Sequence, residues 1–226
     1  MTARTHGRQK EGVDVKTTGA IEARRRTRKG SETRRILIEA AIQCLQALGY
    51  AGTSIEAVMA RAGLSRGSVL NQFPTRIALM AATSDAAMQT MIADTRVRMD
   101  AIPDPAARYR AMCEVTWAAQ NLAEGAALTE VLLAARRDEA LALAFRPVAE
   151  RIEAEIDQYT AELARAAGVR EQDIDACLVH GRVLILSLRG ITLELSFDPD
   201  RKMINRALEQ IRAMHKAHCD RVLGTG

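Results

Sequence analysis

The sequence predicts an all-α protein with a small N-terminal helical domain followed by a larger one. Of its 226 residues, 48% are hydrophobic, 27% are charged and only 3% are aromatic, a balance that favours helix over sheet. From Ser31 onward, apolar residues recur at the three- and four-residue spacing of amphipathic helices. No segment has the alternating pattern of a half-buried strand. A chain of this length can bury a full hydrophobic core.

Two helical patterns occupy the stretch between Ser31 and Gly63. Ser31 is the predicted N-cap of the first helix, and Gly49 is its predicted end. The second helix is predicted to begin at Thr53, because Thr53 and Glu56 have the T-x-x-E spacing of a capping box.

A third, short helix is predicted to begin at the N-cap Ser65 and to end before Pro74. Val69 and Phe73, four residues apart, are expected to face the other two helices. Residues 54–73 therefore have the length and the residue pattern of a helix-turn-helix whose solvent-facing side reads DNA. An ordinary solvated helix in a three-helix bundle would have the same pattern. The free face comprises Arg66, Gly67, Ser68, Leu70, Asn71 and Gln72.

Positive charge is concentrated at the N-terminus. Residues 1–35 contain eleven Lys and Arg against four Asp and Glu, a local charge of +7, so the rest of the chain carries −3 of the total +4. Residues 1–30 are predicted to form a basic flexible arm that lies along phosphates or enters a minor groove, the alternative being a solvated leader. Its densest run is Arg24, Arg25, Arg26, Arg28 and Lys29.

The remaining chain is predicted to form six longer helices, at residues 75–101, 106–124, 127–137, 139–167, 173–197 and 201–223, separated by proline, glycine and Asp-Pro-Asp signals. The apolar run at 183–186, like the longer runs at 77–82 and 140–145, is too short to span a membrane. No membrane helix is expected, and the predicted location is the cytoplasm.

Three motifs at family-like spacing resemble the DNA-binding domain of the TetR family of transcriptional regulators, and the resemblance covers about residues 31–80. It implies a DNA-binding domain at 31–78 and a helical ligand-binding and dimerisation domain at 79–226. It also implies a ligand-responsive repressor, which binds a palindromic operator as a homodimer and responds to an unknown small-molecule effector. The motifs are Gly49-Tyr50-x-x-Thr53-Ser54-x-x-x-Val58, Arg61-Ala62-Gly63-Leu64-Ser65-Arg66-Gly67-Ser68 and Phe73-Pro74-Thr75-Arg76.

The resemblance also implies individual DNA contacts. Ser54 and Arg76 would contact phosphates, and residues 66–68 would enter the groove. The chain departs from the family on the third helix, where Leu70 replaces the usual Tyr and is followed by Asn71 and Gln72 instead of aromatic or His residues. Leu70 could touch a thymine methyl, and the two amides could read adenine.

The resemblance implies a ligand pocket in the second domain and a dimer interface on its last two long helices. Apolar and hydrogen-bonding side chains at helical spacing fit either a pocket or a core: Met88, Met91, Tyr109, Met112, Cys113, Thr116, Trp117, Gln120, Phe145 and Tyr159. The apolar faces predicted for the interface comprise Ile174, Cys177, Leu178, Gly181, Leu184, Ile185, Leu188, Ile191, Ile204, Leu208, Ile211 and Val222, with small residues also at Ser187 and Gly190.

Catalytic and metal-binding alternatives have weaker support. Residues 63–67 match G-x-S-x-G, but a nucleophile elbow needs a preceding strand and here a helix is predicted. His215, His218 and Cys219 share a helix face but make an incomplete metal site, and the four cysteines have no metal-ligand spacing. No cofactor, metal or catalytic residue is predicted. An interaction module without DNA binding remains the alternative, and an all-helical enzyme is a more distant one.

Overall fold

The computed structural model describes residues 15–224, with side chains from residue 28 onward, and this part of the chain is α-helical without strands. The predicted all-α fold is confirmed. A short 3₁₀ turn at Glu171–Asp173 precedes the ninth of the ten helices found there. These are α1 Val15–Gly52, α2 Ile55–Ala62, α3 Arg66–Gln72, α4 Arg76–Asp100, α5 Pro105–Arg110, α6 Met112–Gln120, α7 Ala123–Ala135, α8 Glu139–Ala166, α9 Ile174–Phe197 and α10 Lys202–Leu223.

The first helix begins well before Ser31, so the predicted N-cap there is wrong. The Ser31 hydroxyl instead donates to the carbonyl of Arg28 at 2.9 Å, one turn back within the same helix. The preceding stretch, residues 15–30, contains four Arg, two Lys and two Ala, which are strong helix formers, and no proline that would stop the helix. Residues 24–29 therefore lie on α1 and not on a flexible arm, while residues 1–14 lie outside the described part.

The junction between α1 and α2 also differs from the prediction. Gly49 has φ 66° and kinks the end of α1, and the cap of α2 is Ser54, whose hydroxyl accepts from the Ala57 N–H at 3.1 Å. Thr53 is fully buried, and its hydroxyl donates to the Gly49 carbonyl at 2.8 Å. The capping box predicted from Thr53 and Glu56 is wrong because the kink supplies Thr53 with a free carbonyl and places its methyl group in the core.

The predicted packing of α3 is confirmed. Ser65 caps the helix by accepting from the Ser68 N–H at 3.3 Å. Val69 and Phe73 are 0% and 2% exposed, and both belong to a core that includes Leu37 of α1. The opposite face of α3 is consequently left to solvent.

The N-terminal core does not end at residue 78. Leu79 and Met80 of α4, Val131 of α7 and Leu141 of α8 belong to the same buried cluster as the first three helices. The helix-turn-helix is therefore packed directly onto helices of the second domain.

The predicted helix at 106–124 is two helices, α5 and α6, which meet at Ala111. Gly125 was predicted to end a helix, but it lies in the first turn of α7. A Cβ at Gly125 would lie 2.3 Å from the Gln120 carbonyl oxygen, so this glycine is required by a close backbone approach.

One helical stretch, Glu171–Phe197, has the length and composition of a membrane span, with a mean hydropathy of 1.5. Its Leu184 and Leu188 are buried in the core of the second domain, and Arg182 pairs with Asp157 of α8 at 2.7 Å. Its inner face is thus packed within the domain, whereas its outer face is apolar and exposed, and this weakly apolar helix is not a membrane span.

Candidate functional site

The solvent face of α3 carries the predicted reading residues. Arg66, Gly67 and Asn71 are exposed, and Leu70 is 40% exposed. A Cβ at Gly67 would meet only the Ser65 hydroxyl, at 4.0 Å, so the fold does not itself require glycine at this position. The face is available to a macromolecular partner because the core side of the helix is filled by Val69 and Phe73.

Two of the predicted contact residues make local interactions on this face. Arg66 donates to Glu56 of α2 at 2.5 Å across an exposed ion pair. Hydrogen bonds from the backbone N–H of Glu56 and from the Arg66 side chain lower the pKa of the Glu56 carboxyl, so this group is charged at neutral pH. Exposed pairs are weak in water, so Arg66 is free to exchange Glu56 for a phosphate or a base edge. The Ser68 hydroxyl lies 3.0 Å from that of Ser65.

Arg76 at the start of α4 holds the α1–α2 junction. Its guanidinium donates to the carbonyls of Thr53, at 2.7 Å, and Tyr50, and lies 4.0 Å from the centre of the Tyr50 ring. The resemblance implied a phosphate contact for Arg76, and that contact stays a prediction. In this structure the residue positions the helix-turn-helix against α4.

The basic residues of α1 lie beside the reading helix. Arg28 and Lys29 are exposed, and the side chains of residues 24–26 lie outside the described set. A Cβ at Gly30 would lie 3.7 Å from the Gln72 amide nitrogen, which places this part of α1 next to the end of α3. Arg34, one turn later, lies 4.5 Å above the Phe73 ring. Charge from α1 is thus added to the same side as the reading face.

A contact that the sequence analysis missed links the second domain to the same junction. Glu130 of α7 accepts the Tyr50 N–H at 2.9 Å across 80 residues of sequence. A Cβ at Gly49 would come within 3.1 Å of the same Glu130 oxygen. No local sequence signal could have indicated this contact, because it depends on how α7 packs against α1.

The second domain contains a partly open cavity of about 100 Å³ lined by α4, α6, α7, α8 and α9. Its wall is mainly apolar, with a few polar and charged groups. Six of the ten predicted pocket residues line it: Met88, Met91, Met112, Thr116, Gln120 and Tyr159.

The other four predicted pocket residues do not line the cavity. Tyr109 is fully buried and its hydroxyl lies 2.9 Å from His218 Nε2, so its polar group is used inside the core between α5 and α10. Cys113 and Trp117 belong to or pack on that same core, and Phe145 packs in a separate cluster with Met91. Helical spacing alone could not distinguish these core positions from the wall.

The charged wall residues were also missed. Glu155 of α8 lies on the wall and is held by Arg96 at 3.0 Å and by Gln89 at 3.1 Å. Arg189 of α9 lies on the wall as well, and its Nε is buried without a hydrogen-bond partner. Burial and the neighbouring Arg182 lower the pKa of Arg189. An arginine flanking an apolar run was the available signal in the sequence.

His215, His218 and Cys219 are all buried, and they pack with His180 of α9. His215 Nδ1 lies 3.0 Å from His180 Nε2, and the stacked rings of His180 and His218 are 3.9 Å apart. Among the side chains of residues 28–224, no group of His, Cys, Asp and Glu has the geometry of a metal site. The cysteines are free thiols.

The apolar residues predicted for the dimer interface are largely core residues of one protomer, and that part of the prediction is wrong. Ile174, Cys177, Leu184 and Leu188 are buried. Gly181 is buried against Thr160 of α8, where an added Cβ would lie 3.3 Å from the methyl group. Because α9 is apolar on all sides, periodicity identified its inner face. Its outer face exposes Val179, Val183, Leu186, Leu193 and Phe197.

Comparison with known proteins adds an independent line of support. The family described as bacterial regulatory proteins of the tetR family matches residues 37–83. The transcriptional regulator CymR of Pseudomonas putida is 26% identical over 82% of this chain and 91% of its own length.

Two solved structures are similar over most of both chains. A TetR-family member from Streptomyces coelicolor is 27% identical, with a TM-score of 0.56 over 80% of this chain and 96% of its own. The multidrug binding protein EbrR, complexed with imidazole, is 27% identical, with a TM-score of 0.54 over 80% of this chain and 88% of its own. Together with the exposed reading face of α3, these likenesses support a TetR-family transcriptional regulator that binds DNA.

Proposed function

We propose that the protein is a cytoplasmic, ligand-responsive repressor that binds a palindromic operator as a homodimer. The observation that carries this proposal is the pairing of an exposed reading face on α3 with a mainly apolar cavity in the second domain. Both are connected to the same long helix, because α4 begins beside α3 and its later turns line the cavity. The imidazole bound by the multidrug binding protein EbrR supports a small-molecule role for the cavity.

The outer face of α9 supports a homodimer through the last two long helices. Leu186 is 58% exposed and Phe197 is 84% exposed on this face, and a Cβ at Gly190 would meet no atom within 4 Å. On α10, Met203 and Met214 are 67% and 45% exposed. A contiguous apolar face of this kind is typical of an interaction surface, and a second copy of the chain presents the same face.

The proposed operator follows from the symmetry of a dimer. A two-fold axis places two α3 helices in successive major grooves, about 34 Å or a multiple of that distance apart. A ligand that favours another separation releases the operator. Coupling of about 1–3 kcal/mol between the sites corresponds to roughly a 5- to 150-fold change in DNA affinity.

Selection from a random duplex library tests DNA binding and symmetry together. We expect the selected sites to contain an inverted repeat, and affinity to fall steeply with salt because several phosphates are contacted. Arg66→Gln should weaken binding, whereas Arg137→Gln, an exposed arginine between α7 and α8, is the charge-matched control and should not. A protein-interaction module, the alternative function, would select no sequence and lack the salt dependence.

The same selection tests the departure of α3 from its family. Asn71→Ala and Gln72→Ala are expected to change base preference within each half-site, because amide side chains pair with adenine. Unchanged preference in both variants would reduce these residues to positioning groups.

Sedimentation tests the dimer. Leu186→Glu should produce monomers because it places a charge on the outer face of α9. Leu143→Glu on α8 is the control, since Leu143 is 55% exposed and lies outside the proposed interface. A wild-type protein that is monomeric at micromolar concentration would contradict the proposal.

A further inference from the structure

Arg189 places a positive charge on the wall of a mainly apolar cavity and forms no ion pair there with any described residue; the Glu153 carboxylate acts on it only from a longer distance. We infer that the cavity binds a small monocarboxylate with an apolar body, whose carboxylate pairs with Arg189. This inference rests on the proposed function of the cavity as an effector site, and it adds the chemical class of the effector.

The environment of Arg189 is unusual for an arginine. Its Nε is buried and has no hydrogen-bond partner, and no carboxylate in residues 28–224 lies within ion-pair distance of it. The Arg182 guanidinium, two turns earlier on α9, is instead paired with Asp157 and Glu153. A buried guanidinium nitrogen without a hydrogen-bond partner is costly, and charged groups inside proteins are normally paired.

The other charge on the cavity wall is already balanced. The Glu155 carboxylate receives hydrogen bonds from Arg96 and Gln89, so it does not require a ligand cation. It also does not pair with Arg189. The net unbalanced charge of the wall is therefore positive, which selects an anion.

Tyr159 is a second polar residue on the cavity wall without a partner. Its hydroxyl is buried and unpartnered, and the residue lines the cavity as Arg189 does. Burial raises the pKa of Tyr159, so the phenol stays protonated and is a hydrogen-bond donor at neutral pH. Arginine and phenol groups both donate hydrogen bonds to carboxylate oxygens, so both of these groups suit an anion.

The rest of the wall determines the body of the ligand. Met88, Met91, Ile152 and Ile185 are among the apolar residues that surround the cavity of about 100 Å³. A cavity of about 150 Å³ lined by apolar side chains holds benzene, so this space fits a body of about one ring or a short alkyl chain.

Calorimetry and thermal shift in the absence of DNA test the inference. The probes are sodium benzoate and sodium hexanoate, with benzamide and hexanamide as neutral controls and benzylamine as the cationic control. We expect at least one carboxylate to bind and stabilise the protein, and the matching amide and the amine to bind more weakly. Failure of both carboxylates, or equal binding of an amide or the amine, overturns the inference.

Variants of two arginines on α9 locate the binding group. Arg189→Met should weaken carboxylate binding roughly 10- to 150-fold, the range for a hydrogen bond to a charged group. It should also raise the melting temperature of the ligand-free protein, because it removes an unpaired buried charge. Arg189→Lys keeps a cation and should retain part of the binding. Arg182→Met is the matched control and should bind carboxylate while melting no higher than wild type. Full carboxylate binding by Arg189→Met overturns the inference.

The experiments distinguish failure of the carboxylate inference from failure of the proposed ligand-responsive repression. If benzoate or hexanoate binds through Arg189 but leaves operator affinity unchanged, ligand-responsive repression fails while this inference stands. If a different compound releases the operator and neither carboxylate binds, the inference fails while the proposed function stands.

Discussion

Acidification is expected to destabilise the second domain through a cluster of three histidines, the buried His215 and His218 and the partly buried His180, before the carboxylates titrate. His180 of α9 packs against His215 and His218 of α10, and its ring stacks on that of His218 with an interplanar angle of 7°. Arg221 donates to His218 Nδ1 at 3.0 Å. A permanently protonated arginine requires a neutral acceptor, so the network assigns the proton of His218 to Nε2, which donates to the Tyr109 oxygen.

Burial is the main cause that lowers the pKa values of His180 and His218 to about 4, and it also lowers that of His215. Unfolded histidine titrates near 6.5. Between pH 6.5 and pH 4 the unfolded chain binds more protons than the folded one. The free energy of unfolding therefore has its highest value above pH 6.5 and decreases as the pH falls towards 4. One ring with these values contributes a loss of about 2 kcal/mol by pH 5.

Because the unfolded chain protonates each ring independently, the losses of His180 and His218 add, and we expect about 4 kcal/mol at pH 5 from these two rings. For a chain of this size that corresponds to a decrease in melting temperature of about 8–16 °C. Thermal unfolding between pH 7 and 5, at one fixed protein concentration, measures it. His180→Gln should flatten the dependence. A melting temperature that is constant over this range would refute the assignment of buried neutral rings.

Three further predictions concern packing and the link between domains. Gly125→Ala should lower the free energy of unfolding by about 1–3 kcal/mol, because its Cβ would overlap the Gln120 carbonyl; an unchanged urea midpoint would contradict the close approach. Phe73→Ala should cost about 3–5 kcal/mol in urea unfolding, since the ring is 2% exposed, and a loss under about 1 kcal/mol would mean that α3 is poorly packed. Glu130→Gln should cost about 1 kcal/mol, because a neutral acceptor for the Tyr50 N–H replaces a charged one; wild-type stability would argue against this bond in solution.

The features that the sequence predicted well are those determined by neighbouring residues. The reading helix was found because its cap and its two buried positions, Ser65, Val69 and Phe73, lie within nine residues of one another. The wrong prediction at Ser31 was also made from neighbouring residues. A serine permits a helix to begin but does not require it, and the helix-forming residues before Ser31 continue the helix towards the N-terminus.

Positions in the cavity depend on five helices, and the sequence could predict them only in part. Tyr109 has the composition of a pocket residue, but its hydroxyl is taken by His218, 109 residues away. Arg189 was interpreted as a flank of an apolar run, and its missing partner became evident only when its neighbours in space were known. The dimer face was misplaced for a related reason, since α9 is apolar on both sides and periodicity does not indicate which side the protomer itself covers.

The backbone of Tyr50 connects the reading face to both of the helices, α4 and α7, that line the cavity. Its carbonyl accepts from Arg76 of α4, and its N–H donates to Glu130 of α7. Both helices also line the cavity, through residues such as Met91 and Leu128. Arg76 and Met91 are separated by about 22 Å along one helix, which moves as a rod. A ligand that shifts α4 relative to α7 must therefore act on two bonds to the same residue, immediately before the helix-turn-helix, and this is how we expect occupancy of the cavity to alter the separation of two reading helices.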